Sequence, residues 1–228
     1  MFLMLINQAK YSEIVQELDG KAVLVAVSKT KPVEAIKELY DLGHRDFGEN
    51  YVQELVEKQA QLPNDIRWHF IGHLQSNKVK YIAPFVHLVH GIDSFKLLKE
   101  VNKEGKKNNR TIDVLLQVHI ATEETKFGLD ENELHELLHR HQGELHELKN
   151  TNIKGLMGMA SFTDDIEKIR KEFLHLKSLF VKYAKSEILN SKFEILSIGM
   201  SSDYAIAIEE GSNMVRIGNL IFGERQYS

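Results

Sequence analysis

The strongest constraint on this fold is a rhythm. Eight short apolar runs recur along the 228 residues, and each is followed by a stretch with helical spacing. The runs are AVLVAVSKTKP, HRDFGEN, WHFIGH, VHLVHGI, DVLLQVHI, IKGLMGMA, EILSIGM and MVRIG. Behind the first, Val33, Ile36, Leu39 and Tyr40 share a helical face that starts after Pro32 and stops at Gly43. Comparable faces occur over 51–62, 94–106, 131–141, 164–184 and 203–210, with a last short piece in NLIFGE. Strands alternating with helices argue a parallel sheet. Eight units in this length match one closed (β/α)8 TIM-type barrel, near the lower end of its usual size. The alternative is an open doubly wound sheet, weakened by the lack of GxGxxG after the first strand. No linker or internal repeat divides the chain, so residues 1–228 are expected to form one domain.

Composition narrows the function classes. With 43% hydrophobic and 27% charged residues the chain can bury a real core. A net charge of −4 gives no general attraction for nucleic acid or an anionic membrane. The absence of cysteine excludes a disulfide scaffold and thiolate metal sites. MFLMLINQAK opens with six apolar residues but lacks the basic flank and cleavage site of a signal peptide, and is too short to span a bilayer. The expectation is a cytoplasmic protein.

In a barrel of this type the active site lies at the C-terminal ends of the strands. Those ends carry Lys29, Glu49–Asn50, His73, Ser161, Ser201–Ser202 and Gly218–Asn219. Alternation along the first strand puts Val23, Val25, Val27, Lys29 and Lys31 on one face. Lys29 would then point inward at the strand end, partly desolvated and with Lys31 as a like-charged neighbour. Both effects favour a neutral, nucleophilic amine of the kind that forms a Schiff base; an ordinary surface lysine is the plainer reading. GMSSD and RIGN close strands seven and eight, and the loops there form the common phosphate site of such barrels. A phosphate held there beside an amine on strand one asks for a phosphorylated aldehyde. Arg216 shares the inward face with Met214 and Gly218, where a guanidinium needs a partner. That partner is either a strand carboxylate or the ring nitrogen of a cofactor.

HELLH, from His135 to His139, fits the HExxH zinc pattern. It falls in an outer-helix slot, and the spacing to Gly143 and His146 turns the next ligand away. A solvated helix face is the simpler account. His69 and His73 read as satisfied polar residues, and Met157 and Met159 as core.

Taken together, SKTKP, FGEN, WHFIG-x-LQSNK, GLMGM, LSIGMSSDY and VRIGNLIFG resemble the pyridoxal-phosphate homeostasis proteins. The resemblance implies a barrel like the N-terminal domain of alanine racemase that carries pyridoxal 5′-phosphate as a lysine aldimine. By position it implies Lys29 as the Schiff-base lysine, with Ser201, Gly218 and Asn219 at the phosphate. Arg216 would face the pyridine nitrogen, and Asn50 would line the ring pocket. Asn219 stands where the family usually has threonine or serine, replacing a short hydroxyl with a longer amide. The implied role is carrying and buffering the cofactor in vitamin B6 homeostasis, without catalysis. Apo forms of pyridoxal-phosphate enzymes would be partners, and the protein a monomer that binds neither nucleic acid nor membrane. A racemase needs a second base opposite the lysine. None is expected here, because the chain ends at Ser228 directly after the eighth unit. A racemase that borrows a partner's base is the alternative, and a zinc hydrolase through HELLH the remote one.

Overall fold

The computed structural model describes residues 5–122, 127–186 and 192–224. Within them eight parallel strands close into a barrel in sequence order. They are β1 Val23–Val27, β2 Asp46–Glu49, β3 Arg67–Phe70, β4 Leu88–Ile92, β5 Ile112–Gln117, β6 Thr151–Met157, β7 Ile195–Ser197 and β8 Met214–Ile217. All eight overlap the apolar runs. β8 pairs with β1, Val25 beside Arg216 and Ala26 beside Ile217, and this closure excludes the open sheet. The helices are α1 Gln8–Leu18, α2 Val33–Asp41, α3 Val52–Gln59, α4 Val79–Ile82, α5 Phe95–Lys107, α6 Glu131–Arg140, α7 Gln142–Glu147, α8 Ile166–Ala184, α9 Tyr204–Glu209 and α10 Asn219–Phe222. A six-residue helix, α7, follows α6 where the sequence reading has one helix ending near 141.

The strand period of two sorts side chains into two cores. Outward-facing Leu24, Ala26, Phe47, Trp68, Phe70, Val114, Leu116, Val215 and Ile217 pack with the helices. Inside, Val25, Leu88, Leu115, Met157 and Met214 form a smaller cluster. The inward side is otherwise polar, with His69, His90, Ser197 and Arg216 all buried. The bulky aliphatics that commonly fill such barrels are therefore only half of this interior. β4 slips register between Val89 and Ile92, and Ile92 rejoins the outer core although it lies two residues beyond His90. Val23, expected to be buried with the other valines, is 42% exposed as the first residue of β1.

Some helix starts are capped by side chains. Ser94 and Asp165 accept from the backbone of α5 and α8, and Asp130 forms a capping box with Glu133 on α6. No helix among the described residues is long and apolar enough to cross a membrane.

Candidate functional site

A cavity of about 390 Å³ opens at the C-terminal ends of β1, β2, β7 and β8, within the usual size of small-molecule sites. Lys29, Asn50, Ser201, Arg216, Gly218 and Asn219 all line it. Val27, Ile71 and Met159 supply apolar wall, and Met159 also packs against the inner core cluster, as the sequence reading has it. Asn50 Oδ1 is buried and has no hydrogen-bond partner among the described residues, leaving an acceptor beside the cavity. On the same wall the Gly218 N–H donates to Ser201 Oγ at 3.3 Å, joining the ends of β7 and β8.

The backbone around Lys29 is held under strain. Thr30 has φ 64°, in the left-handed region that β-branched residues avoid. Its N–H donates to Glu54 Oε1 at 2.6 Å. On the other side of Lys29, the Ser28 hydroxyl donates to Glu49 Oε1 at 2.6 Å, and Lys58 Nζ donates to the Ser28 carbonyl at 2.7 Å. Lys58 also reaches Glu49 at 2.8 Å and Glu54 at 2.7 Å. Both neighbours of Lys29 thus hang on one buried cluster of two carboxylates and an ammonium. Complete burial pushes the Glu49 carboxyl up to about 6, against the opposing pull of Lys58 and Ser28.

Arg216 is buried and hydrogen-bonds to neutral acceptors. Nη1 donates to the carbonyl and hydroxyl of Ser197 at 2.8 and 2.7 Å, and Nη2 donates to the Gly158 carbonyl at 2.9 Å. Burial brings its pKa down to about 10, partly opposed by the Asp203 carboxylate. The guanidinium therefore stays charged at neutral pH, held at the cavity edge by neutral acceptors.

The neighbouring lysine shares the mouth, as expected, and has a structural task there. Lys31 lines the same cavity, but its Nζ donates to the carbonyls of Phe222, Gly223 and Glu224 at 2.9, 3.0 and 2.9 Å. These three acceptors tie Lys31 to the end of α10, so its side chain anchors a helix end. Gly218 likewise has a packing reason besides any ligand. A Cβ there would sit 3.0 Å from the Val27 carbonyl oxygen and 3.2 Å from Val27 Cβ.

Three strand-end residues expected at the mouth are elsewhere. Glu49 alternates outward into the cluster behind β1. Ser161 gives its N–H and hydroxyl to Glu172, both at 2.7 Å. His73 stacks on Phe127 and faces Asp93 at 3.2 Å. Conversely, Glu54, Lys58, His90 and Ser197 were not expected to matter. Ser197 and His90 carried a usable signal, since each is a polar residue at the inward phase of an apolar strand. His135 and His139 stack on each other along α6, and no group of three or more potential metal ligands occurs among the described residues.

Comparison with known proteins gives a consistent result. The family model described as alanine racemase, N-terminal domain, matches residues 7–226. A pyridoxal phosphate homeostasis protein of Aquifex aeolicus is 42% identical over 207 residues, covering 90% of this chain and 88% of the relative. The structure of PipY from Synechococcus elongatus without PLP superposes with a TM-score of 0.87 at 31% identity, over 94% of this chain and 99% of PipY. PipY with PLP bound superposes with a TM-score of 0.84 at 30% identity, over the same shares.

Proposed function

The chain belongs to the pyridoxal phosphate homeostasis protein family, and from that premise we propose that it binds, buffers and hands on pyridoxal 5′-phosphate without catalysis of its own. The observation that carries this reading is the convergence, in one cavity, of Lys29 from β1, Ser201, Gly218 and Asn219 from the β7 and β8 ends, and Arg216. The donor set fits the group. When bound, pyridoxal phosphate supplies an aldehyde for covalent attachment to an amine and a pyridine ring that can draw electrons from what is attached.

Each residue then has a part. Lys29 takes the aldehyde, on a backbone already fixed by the Ser28–Glu49–Lys58–Glu54 cluster. Ser201 and the N–H groups around Gly218 and Asn219 hold the phosphate, with α10 anchored at its far end by Lys31. The orphan Asn50 Oδ1 accepts from a polar substituent of the ring. Arg216 donates to the ring nitrogen. Because the guanidinium stays charged, a second positive charge on that nitrogen is disfavoured, and the ring draws electrons poorly. This is the physical reason for a carrier in place of a catalyst. Solved PipY with PLP bound supports the ligand. The recipients in this reading are apo forms of pyridoxal-phosphate enzymes, met by a monomer in the cytoplasm.

The test is titration of the purified protein with pyridoxal phosphate, read by visible absorption and by racemisation of L-alanine. A borohydride-bleachable band without racemisation is expected. Racemisation by the unaltered protein, independent of added proteins, would overturn the carrier reading.

A further inference from the structure

We propose that Ser197, His90, His69 and Asp46 form a one-directional hydrogen-bonded chain across the barrel interior that fixes Arg216 as a donor at the cavity, making these four positioning residues for the ring nitrogen of the bound cofactor. The inference rests on the cofactor reading above. The chain runs from Arg216 Nη1 to Ser197 Oγ at 2.7 Å, from Ser197 Oγ to His90 Nδ1 at 3.3 Å, from His90 Nε2 to His69 Nδ1 at 3.0 Å, and from His69 Nε2 to Asp46 Oδ1 at 3.1 Å. β4 and β7 are not neighbours in the barrel, so the His90–Ser197 contact links opposite walls. His69, His90, Ser197 and Arg216 are each at most 4% exposed.

The direction follows from the two ends independently. Arginine only donates, so the Ser197 oxygen accepts, and its own proton is available to His90 Nδ1. At the other end, Arg67 pairs with both Asp46 oxygens. Burial acts to raise the Asp46 carboxyl, but the hydrogen bonds from His69 and Arg67 prevail and hold it well below the usual carboxylate range. An ionised carboxylate only accepts, so His69 Nε2 carries a proton. If that ring is neutral, His69 Nδ1 accepts and His90 Nε2 donates. His90 Nδ1 is then bare, as the other end requires. Complete burial, with the Arg216 guanidinium nearby, keeps His90 neutral. Reversing the chain would need a doubly protonated His69. Around it also lie His87, whose ring is 5.4 Å from that of His69, His44, whose Nε2 meets the Asp46 carbonyl at 2.8 Å, the Asp113 carboxylate near His87 and the Asp203 carboxylate near Arg216. The three bonds to Ser197 and Gly158 hold the plane of the guanidinium, and its remaining donor capacity serves the cavity that it lines.

The experiment has two readouts. Long-range ¹⁵N–¹H spectra of the histidine-labelled full chain without cofactor report the ring tautomers at neutral pH. His69 and His90 are expected to be neutral, protonated on Nε2 and bare on Nδ1. A doubly protonated His69, or a proton on His90 Nδ1, would overturn the chain, and this reading needs no variant to fold. The second readout is the pyridoxal phosphate complex of His90→Leu and Ser197→Ala. Affinity is expected to fall about tenfold, the loss of a hydrogen bond held by a charged group. The visible band is expected to move, with attachment still on Lys29. His90→Gln, which can donate and accept, is expected to restore the band. A band unchanged in His90→Leu would overturn the positioning role. No band in the unaltered protein would overturn the binding reading and this role with it, while the tautomers would still decide the chain.

Discussion

Two buried polar systems flank the cavity, and they work in opposite ways. Behind β1, Glu49, Glu54 and Lys58 form a charge-dense cluster outside the barrel, with Lys58 within hydrogen-bond distance of both carboxylates. It grips backbone, namely the Ser28 carbonyl and the Thr30 N–H. Inside the barrel, the Asp46–His69–His90–Ser197 chain has its charges at the ends and neutral groups between, and it grips one side chain, Arg216. A ligand-binding lysine on a loop needs its backbone held against strain. A guanidinium on a strand already has a fixed backbone and needs only its terminal atoms oriented. Damage to the first system should therefore appear as lost stability, and damage to the second as an altered ligand.

The sharpest way to break this contrast is Lys58→Met. It leaves the completely buried Glu49 without its ammonium, a change expected to cost about 3–5 kcal/mol in urea unfolding. The cost should be larger at pH 8 than at pH 5, where Glu49 can take up a proton, and Glu49→Gln in the same chain should recover most of it. Ser197→Ala should cost only about 1 kcal/mol, since Arg216 keeps the Ser197 and Gly158 carbonyls. Comparable losses for the two variants would erase the distinction.

A second prediction uses pH. The folded-state pKa of Glu49, about 6, lies above its ordinary value of 4.5, so the folded protein binds this proton more tightly than the unfolded chain. From this group alone, stability should rise as pH falls through about 6 and level off below 4.5, by about 2 kcal/mol between the two limits. Asp46 has the opposite sign. Its lowered pKa gives stability that is present above its ordinary value of 3.8 and lost as pH falls through the folded value. Unfolding curves of the wild type and Glu49→Gln across pH 4.5–6 should differ in slope; identical slopes would remove Glu49 as the titrating group.

β1 and β8 are paired neighbours in the barrel. Gly218→Ala would press a Cβ against the Val27 backbone. The strain is expected to cost about 1–3 kcal/mol and to weaken pyridoxal phosphate and unphosphorylated pyridoxal alike, as displaced strand ends would. The smallest effect belongs to Lys31→Ala. Freeing the end of α10 should cost about 1 kcal/mol and should weaken pyridoxal phosphate more than pyridoxal, because α10 begins at Asn219. Equal weakening, measured by fluorescence titration, would dissociate α10 from the phosphate.

The fold was legible because strand and helix periods are local and each apolar run is bounded by its own turn signals. The cavity-lining set was legible for a related reason: in a closed parallel barrel all C-terminal strand ends reach one mouth, so alternation from Val25 to Lys29 and from Met214 to Gly218 places side chains there. The two polar systems were not legible. Glu49 meets Lys58 only because β2 ends beside Ser28 and α3 folds back over it, and His90 meets Ser197 only across the closed barrel. Those contacts join residues 9 and 107 positions apart, respectively, and no sequence period encodes them. Lys31 shows the limit of alternation, which found its face but not the α10 carbonyls that hold its amine.

Whether Lys29 carries the cofactor is decided by one measurement. The protein is loaded with pyridoxal phosphate, reduced with borohydride, digested and mapped by mass spectrometry. The account predicts the phosphopyridoxyl mass on Lys29, its loss in Lys29→Ala, and little on Lys31, whose amine is engaged by the Phe222, Gly223 and Glu224 carbonyls. A label found mainly on Lys31, or spread over surface lysines with Lys29 unmodified, would contradict it.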